Sequence, residues 1–334
     1  MVSKKTEGFV LPYVLFVIFV LSVAGVIAAQ RLNNATQTVL RFEERGRAQQ
    51  ALFTAEADAV FSVISGITIP GGLALNPQAA IPDFFDINED DQEIDPDLWQ
   101  ANGQWRQSQT SDGNVYVSLQ DAAGLISLNT SPAVDLIKIF KFLGLTSEDA
   151  TMISARLLDY VDINKTRRFR GAERSDYALR KLPGPTNSPI RNHQELNSIL
   201  GWGELSGRMS NDMLKAYTTL RLTGVLRDNY AKPPLLEVMG EAGTTTEPAD
   251  IDLTDLERAS VLPSDYSRIT LIYPYASGGY MEKAIEIRRQ VNNVDVPYTL
   301  FGVYEKHSSK GAGLLDIETS NLKNVIHATS GLSE

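Results

Sequence analysis

The chain opens on an unbroken apolar run. From Phe9 to Ala29 it reads FVLPYVLFVIFVLSVAGVIAA, 21 residues without a charge. At about 1.5 Å per residue, a helix of that length covers roughly 30 Å, the thickness of a bilayer core. Behind it, apolar residues recur every three to four positions: Leu32, Ala35, Val39, Phe42, then Ala48, Ala51, Leu52, Ala55, Ala59 and Val63. That spacing is helical, and no proline interrupts it. The pattern predicts one continuous helix of about 55 residues, apolar all round at first and amphipathic afterwards.

Residues 66–104 break the pattern. They hold GITIPGGLALNP and an acidic stretch from Asp83 to Asp97 with eight acids and no base, which reads as a solvated loop. Around the Asp112-Gly113 turn signal, Val115, Val117 and Leu119 alternate with polar neighbours, as in a β-hairpin. Residues 130–222 turn helical. Thr130 or Ser131 is a cap candidate with Pro132 at the first helical position, Ser147 or Thr146 caps a second helix, Asn192 caps a third, and a fourth covers Ser210 to Leu222. The stretch 165–189 between them is rich in loop residues. After an ambiguous region at 223–265, strands return as a three-stranded meander: SRITLIYPYA, YMEKAIEIRRQV and VPYTLFGVYE. Strands split by a helical block suggest an α+β head with an all-α insertion.

Charge and composition narrow the function. The net charge of −10 disfavours nucleic acid as the main partner, because binding a polyanion needs a basic field. There is no cysteine, which excludes disulfides, thiolate metal sites and cysteine nucleophiles. His193, His307 and His327 lie far apart, so a multi-histidine zinc site is not expected. Nucleotide-binding and hydrolase motifs are absent, and the chain reads as a non-enzyme.

One loop carries candidate chemistry. Asp159, Asp162 and Asn164 crowd a helix end, and Glu173 and Asp176 follow, with Gly171 allowing a sharp turn. Such oxygen donors suit a hard cation such as calcium, although the spacing is not that of an EF-hand. Equally, they read as caps and ion pairs with Arg167, Arg168, Arg170 and Arg174. The amino terminus also has three readings: a cleaved secretory signal, a plain membrane anchor, or a leader cut on the cytoplasmic side with the apolar run kept. Pro12 costs little if the helix begins at Phe9, because its missing N–H falls in the first turn.

On these residues the chain resembles a known family. KKTEG followed by FVLPYVLFVIFVLSV looks like a type IV prepilin leader and stem. SLQDAAGLISLNTSPAVDLIKIF, LLDYVDIN, RGAERSDY and NHQEL with ILGW, together with the closing strands, resemble the K-type minor pseudopilins of type II secretion. The resemblance implies cleavage by prepilin peptidase between Gly8 and Phe9 and methylation of Phe9. Tyr13 stands where most pilins carry glutamate, a departure typical of K-type members. It implies a leader at 1–8, a transmembrane part at 9–29, an amphipathic stem at 30–65, and a pilin-like head at 66–129 and 267–306. It further implies an inserted helical domain at 130–222, a connecting region at 223–266 and a polar tail at 307–334. The implied setting is the inner membrane, single-pass, with the amino terminus cytoplasmic and the head periplasmic. The implied partners are I- and J-type pseudopilins, the major pseudopilin and the inner-membrane secretion platform. The family's association with calcium points to the Asp159–Asp176 loop. The competing expectation is an uncleaved, membrane-anchored periplasmic binding module that joins no filament.

Overall fold

A computed structural model describes residues 10–75, 98–240, 262–290, 295–308 and 325–326. The Gly8–Phe9 junction, the acidic stretch 83–97 and most of the polar tail lie outside the described residues. Helix α1 runs without interruption over Val10–Ser65. By length and composition it can cross a membrane. Its two halves differ in what they bury. Ala48, Ala51, Leu52, Ala55, Ala59 and Val63 are buried, whereas Leu32, Val39 and Phe42, which share their periodic spacing, are exposed. Four alanines among the buried six let the helix axis come close to the sheet, and Leu52 and Val63 fill the remaining space.

The sheet against α1 has six strands in the order β10-β9-β8-β5-β4-β11. Its members are β4 (Asn102–Thr110), β5 (Gly113–Asp121), β8 (Tyr266–Pro274), β9 (Tyr280–Arg289), β10 (Tyr298–Ser308) and β11 (Val325–Ile326). The hairpin and the meander therefore share one sheet, joined where β5 pairs antiparallel with β8. Val115, Val117, Leu119, Ile269, Leu271, Ile285 and Ile287 alternate onto the face that meets α1. The region read as a break also contributes three short strands, β1 (Ile67–Ile69), β2 (Gly72–Ala74) and β3 (Leu98–Gln100), which form their own antiparallel sheet.

Three contacts fix how the sheet lies along the stem. Ser277, in the β8–β9 turn, donates to Glu44. Lys283 pairs with Glu56 at 2.6 Å, and Arg289 donates to Thr68. Strand β9 thus climbs beside α1 from Glu44 towards the helix end at Ser65, about 32 Å at the helical rise, and on to Thr68. Asp121 and Ser267 are register partners at the upper end, so everything inserted between β5 and β8 leaves and re-enters the sheet at the end farther from the apolar start of α1.

Asp121 fastens that junction. It is buried, and it accepts hydrogen bonds from Ala123 N–H at 2.7 Å and from the Ser264 hydroxyl at 2.7 Å. The insertion then builds its own core. It contains β6 (Ile126–Ser127), α2 (Ala133–Phe142), α3 (Ser147–Val161), α4 (Arg174–Leu179), α5 (Trp202–Ser206), α6 (Asn211–Tyr217), β7 (Thr218–Thr219) and α7 (Pro233–Met239). Buried residues from Ile126 to Met239 pack together in this core, so residues 223–239 belong to the helical block instead of forming a connection. Phe140 meets Trp202 edge to face at 5.9 Å.

Several boundaries differ from the sequence expectation. Pro132 is the N-cap of α2, and its own carbonyl accepts the first helical N–H groups, so neither Thr130 nor Ser131 caps the helix. Asn192 does cap, by accepting from Glu195 N–H, but the element is a 3₁₀ helix, His193–Ser198. The helix expected at 210–222 stops at Tyr217. There the Thr218 hydroxyl donates back to Leu214 O and the chain enters β7, which pairs in parallel with β6.

Candidate functional site

The loop after α3 places its carboxylates around one arginine. Asp159 is fully buried on α3 and accepts from the Arg168 guanidinium at 2.7 Å and from the Arg168 backbone N–H. Asp162, the C-cap of α3, also accepts from Arg168, and its Oδ2 accepts from Asn164 at 3.0 Å. The backbone can reach Asp159 only because residue 171 is glycine: a Cβ there would lie 1.9 Å from Asp159 Oδ2. Burial opposes the charge on Arg168, but its bonds to Asp162 and Asp159 outweigh burial and raise its pKa.

The other two acids do a different job. Glu173 and Asp176 form a capping box at the start of α4, with Glu173 N–H donating to Asp176 Oδ2 at 2.9 Å. That backbone bond, together with Arg167 at 2.9 Å, holds the Asp176 carboxyl below its usual value. Burial, then the charge of Asp159, pushes Glu173 up. Asn164 Oδ1 is engaged by Thr166 N–H at 2.7 Å.

The two readings of this loop are calcium ligands and caps with ion pairs. Two buried carboxylate oxygens, Asp162 Oδ1 and Glu173 Oε1, accept no hydrogen bond, which a hard cation could exploit. Yet Arg168 already stands between Asp159 and Asp162, and Glu173 and Asp176 are committed to the α4 cap. Among the described residues, no group of three or more His, Cys, Asp or Glu side chains is placed to hold a metal ion. As placed, the set does not fit calcium, because the loop supplies its own cation. Arg168→Ala is therefore expected to cost about 2 kcal/mol, discounted for its partial exposure. Thermal unfolding of the unaltered chain should be the same in calcium and in chelator. A higher midpoint in calcium would show that a metal displaces the arginine.

A second polar cluster joins the insertion to the sheet, and the sequence reading missed it. Arg268 on β8 bonds Glu286 on β9, its direct cross-strand partner, at 2.5 Å. It also donates to the carbonyls of Lys215 and Thr218 in the insertion. Arg221 pairs with Glu286 at 3.3 Å and lies over the Phe301 ring at 4.6 Å. Burial pushes Glu286 up, and the Arg268 and Arg221 charges more than offset that, leaving it below its ordinary value. His193 lies in the same seam with Nε2 buried and unpartnered. Burial, then the charge of Arg268, lowers its pKa from 6.5 to about 4. The opposite charges of Arg268 and Glu286 at register positions were the available signal.

The stem carries the remaining feature. Tyr13 is exposed on α1. Far beyond the apolar run, Phe42, Phe53 and Phe61 are 68%, 71% and 70% exposed. At 100° per residue, all three fall on the side of α1 opposite the alanines that meet the sheet.

Residues 117–208 match the family model for type II secretion system (T2SS), protein K. That span runs from β5 through α5. Among solved structures, a chain of the GspK-GspI-GspJ complex from the enterotoxigenic Escherichia coli type 2 secretion system is similar over 80% of this chain and 100% of that one. The identity is 16% and the TM-score 0.46. No curated protein matches the chain.

Proposed function

We propose, from the premise that residues 117–208 are a type II secretion protein K domain, that this chain is a minor pseudopilin at the tip of the secretion pseudopilus. It is a structural subunit and not an enzyme. Prepilin peptidase cuts between Gly8 and Phe9 and methylates Phe9. The subunit waits in the inner membrane, with its head periplasmic, and then leaves the lipid to start or cap a filament. Its neighbours are I- and J-type pseudopilins and the major pseudopilin, assembled on the inner-membrane platform.

The observation that carries this reading is the aromatic stripe on the stem. A plain anchor needs apolar surface only within the bilayer. Phe42 and Phe61 lie about 20 and 48 Å past Ala29 along the helix axis, where water would meet them. Burying one phenylalanine contributes roughly 1.5–3 kcal/mol, so the stripe is a surface for neighbouring stems. The insertion supports the tip position: it crowns the end of the sheet away from the membrane and obstructs a subunit stacking above. Tyr13 fits as well. A glutamate there would neutralise the terminal ammonium of a neighbour, and a tip subunit has no neighbour above to serve.

The chain has no cysteine, so Phe53→Cys gives a single reactive position. In secreting cells it should cross-link to the stem of another pseudopilin carrying a matching cysteine. An uncleaved binding module would give no such product.

A further inference from the structure

The loops between α3 and residue 182 are chemically unlike the rest of the chain. Residues 163–182 carry a net charge of +5, and the remainder of the protein −15. Their cations Lys165, Arg167, Arg170, Arg174, Arg180 and Lys181 are all exposed. Arg167, Arg170 and Arg180 touch acids at the surface, pairs of the solvent-screened kind that hold little energy. In the same segment Ile163, Phe169 and Leu179 are 88%, 83% and 85% exposed. Two of these apolar residues sit at sharp turns. Arg170, beside Phe169, has φ 62°, and Lys181, two residues past Leu179, has φ 58°. Side chains rarely adopt that left-handed region. Each turn therefore presents a bulky apolar group next to a cation, and Arg170 lies 5.6 Å over the Phe169 ring.

We infer that these two turns dock the insertion onto an anionic bilayer surface. Cations at headgroup level with large apolar side chains reaching just below them make an interfacial binding element. A bilayer accepts such groups without a matching shape, and at more than 80% exposure almost nothing packs beside Phe169 or Leu179. The charge contrast with the rest of the chain, +5 against −15, orients the approach. The insertion stands at the end of the sheet away from the apolar start of α1, so the bilayer engaged is a second one, met in trans. This orientation rests on the anchored stem of the proposed function.

The test uses the full chain held through α1 in nanodiscs of phosphatidylcholine. These are floated with vesicles of equal parts phosphatidylglycerol and phosphatidylcholine, or of phosphatidylcholine alone. Capture is expected only by the anionic vesicles, and it should weaken as salt is raised. Phe169→Ser combined with Leu179→Ser should reduce capture about tenfold or more, with unchanged thermal unfolding because both side chains are exposed. Equal capture by neutral vesicles, no capture, or full capture by the double variant would overturn the inference. So would soluble polyglutamate that blocks capture while the double variant binds as the parent does, an outcome that identifies an acidic protein face instead. Incorporation through α1 and the stem cross-link are read separately, so failure here leaves the filament reading standing.

Discussion

Arg268→Ala is expected to lower folding stability by about 3–5 kcal/mol, the cost of breaking a buried ion pair by removing one partner. Three losses combine. Among the described residues, Glu286 is left with the Arg221 ion pair at 3.3 Å. The carbonyls of Lys215 and Thr218 lose the guanidinium that ties the insertion to the sheet. Finally, a side chain about nine-tenths buried leaves a cavity. Urea unfolding in detergent should report the loss, and limited proteolysis should show the insertion opening before the sheet. Arg268→Met with Glu286→Leu, which replaces both charges by apolar groups, should recover part of the stability. A single alanine variant as stable as the parent would show that the insertion is held by its apolar contacts alone.

The second large effect is pH-dependent. His193 has a folded-state pKa of about 4 against 6.5 when free, so the unfolded chain takes up the proton first as pH falls. Its contribution is complete above about pH 6.5 and is lost progressively towards pH 4, worth about 3 kcal/mol in all. The groups facing it are Arg268 on β8, Glu286 on β9, Lys215 on α6, and Arg221. Glu282 and Glu173 have raised pKa values and act in the opposite sense, but they are present in any variant. The urea midpoint of the parent should therefore fall faster than that of His193→Gln between pH 6.5 and 4. Parallel curves would mean that the imidazole is protonated inside the seam.

What could be read from the chain divides by the range of the forces involved. Helix α1 was legible because its period of three to four residues is a local property, and Asp112-Gly113 marked its hairpin for the same reason. Thr146 and Asn192 cap where expected, since a capping side chain needs only the next three residues. In the region 223–265, read as ambiguous, Pro233 and Pro234 open α7 at positions whose N–H groups have no helical partner. The helix read through Leu222 failed because Leu220 is buried as part of the insertion core beyond α6, where tertiary packing overrides helix propensity. The order within the hairpin and within the meander was legible, but their joining was not, since β5 meets β8 across more than a hundred residues of insertion.

The candidate site shows the same division. Residue types identified an acidic loop with a sharp glycine turn, and the structure places Asp159, Asp162 and Gly171 together. Which cation serves the carboxylates was not legible, because Arg168 lies nine residues from Asp159 and is brought back only by the turn at Arg170 and Gly171. The stem divides likewise. Periodicity marked both Val39 and Ala55 as apolar stripe, but only the folded head shows that one faces the sheet and the other faces outward.

The intact mass of the chain recovered with the secretion filament tests the filament reading most directly. A polypeptide lacking residues 1–8 and heavier by one methyl group at Phe9 is the expected result. A chain still beginning at Met1, found in the membrane and never with other pseudopilins, would contradict it.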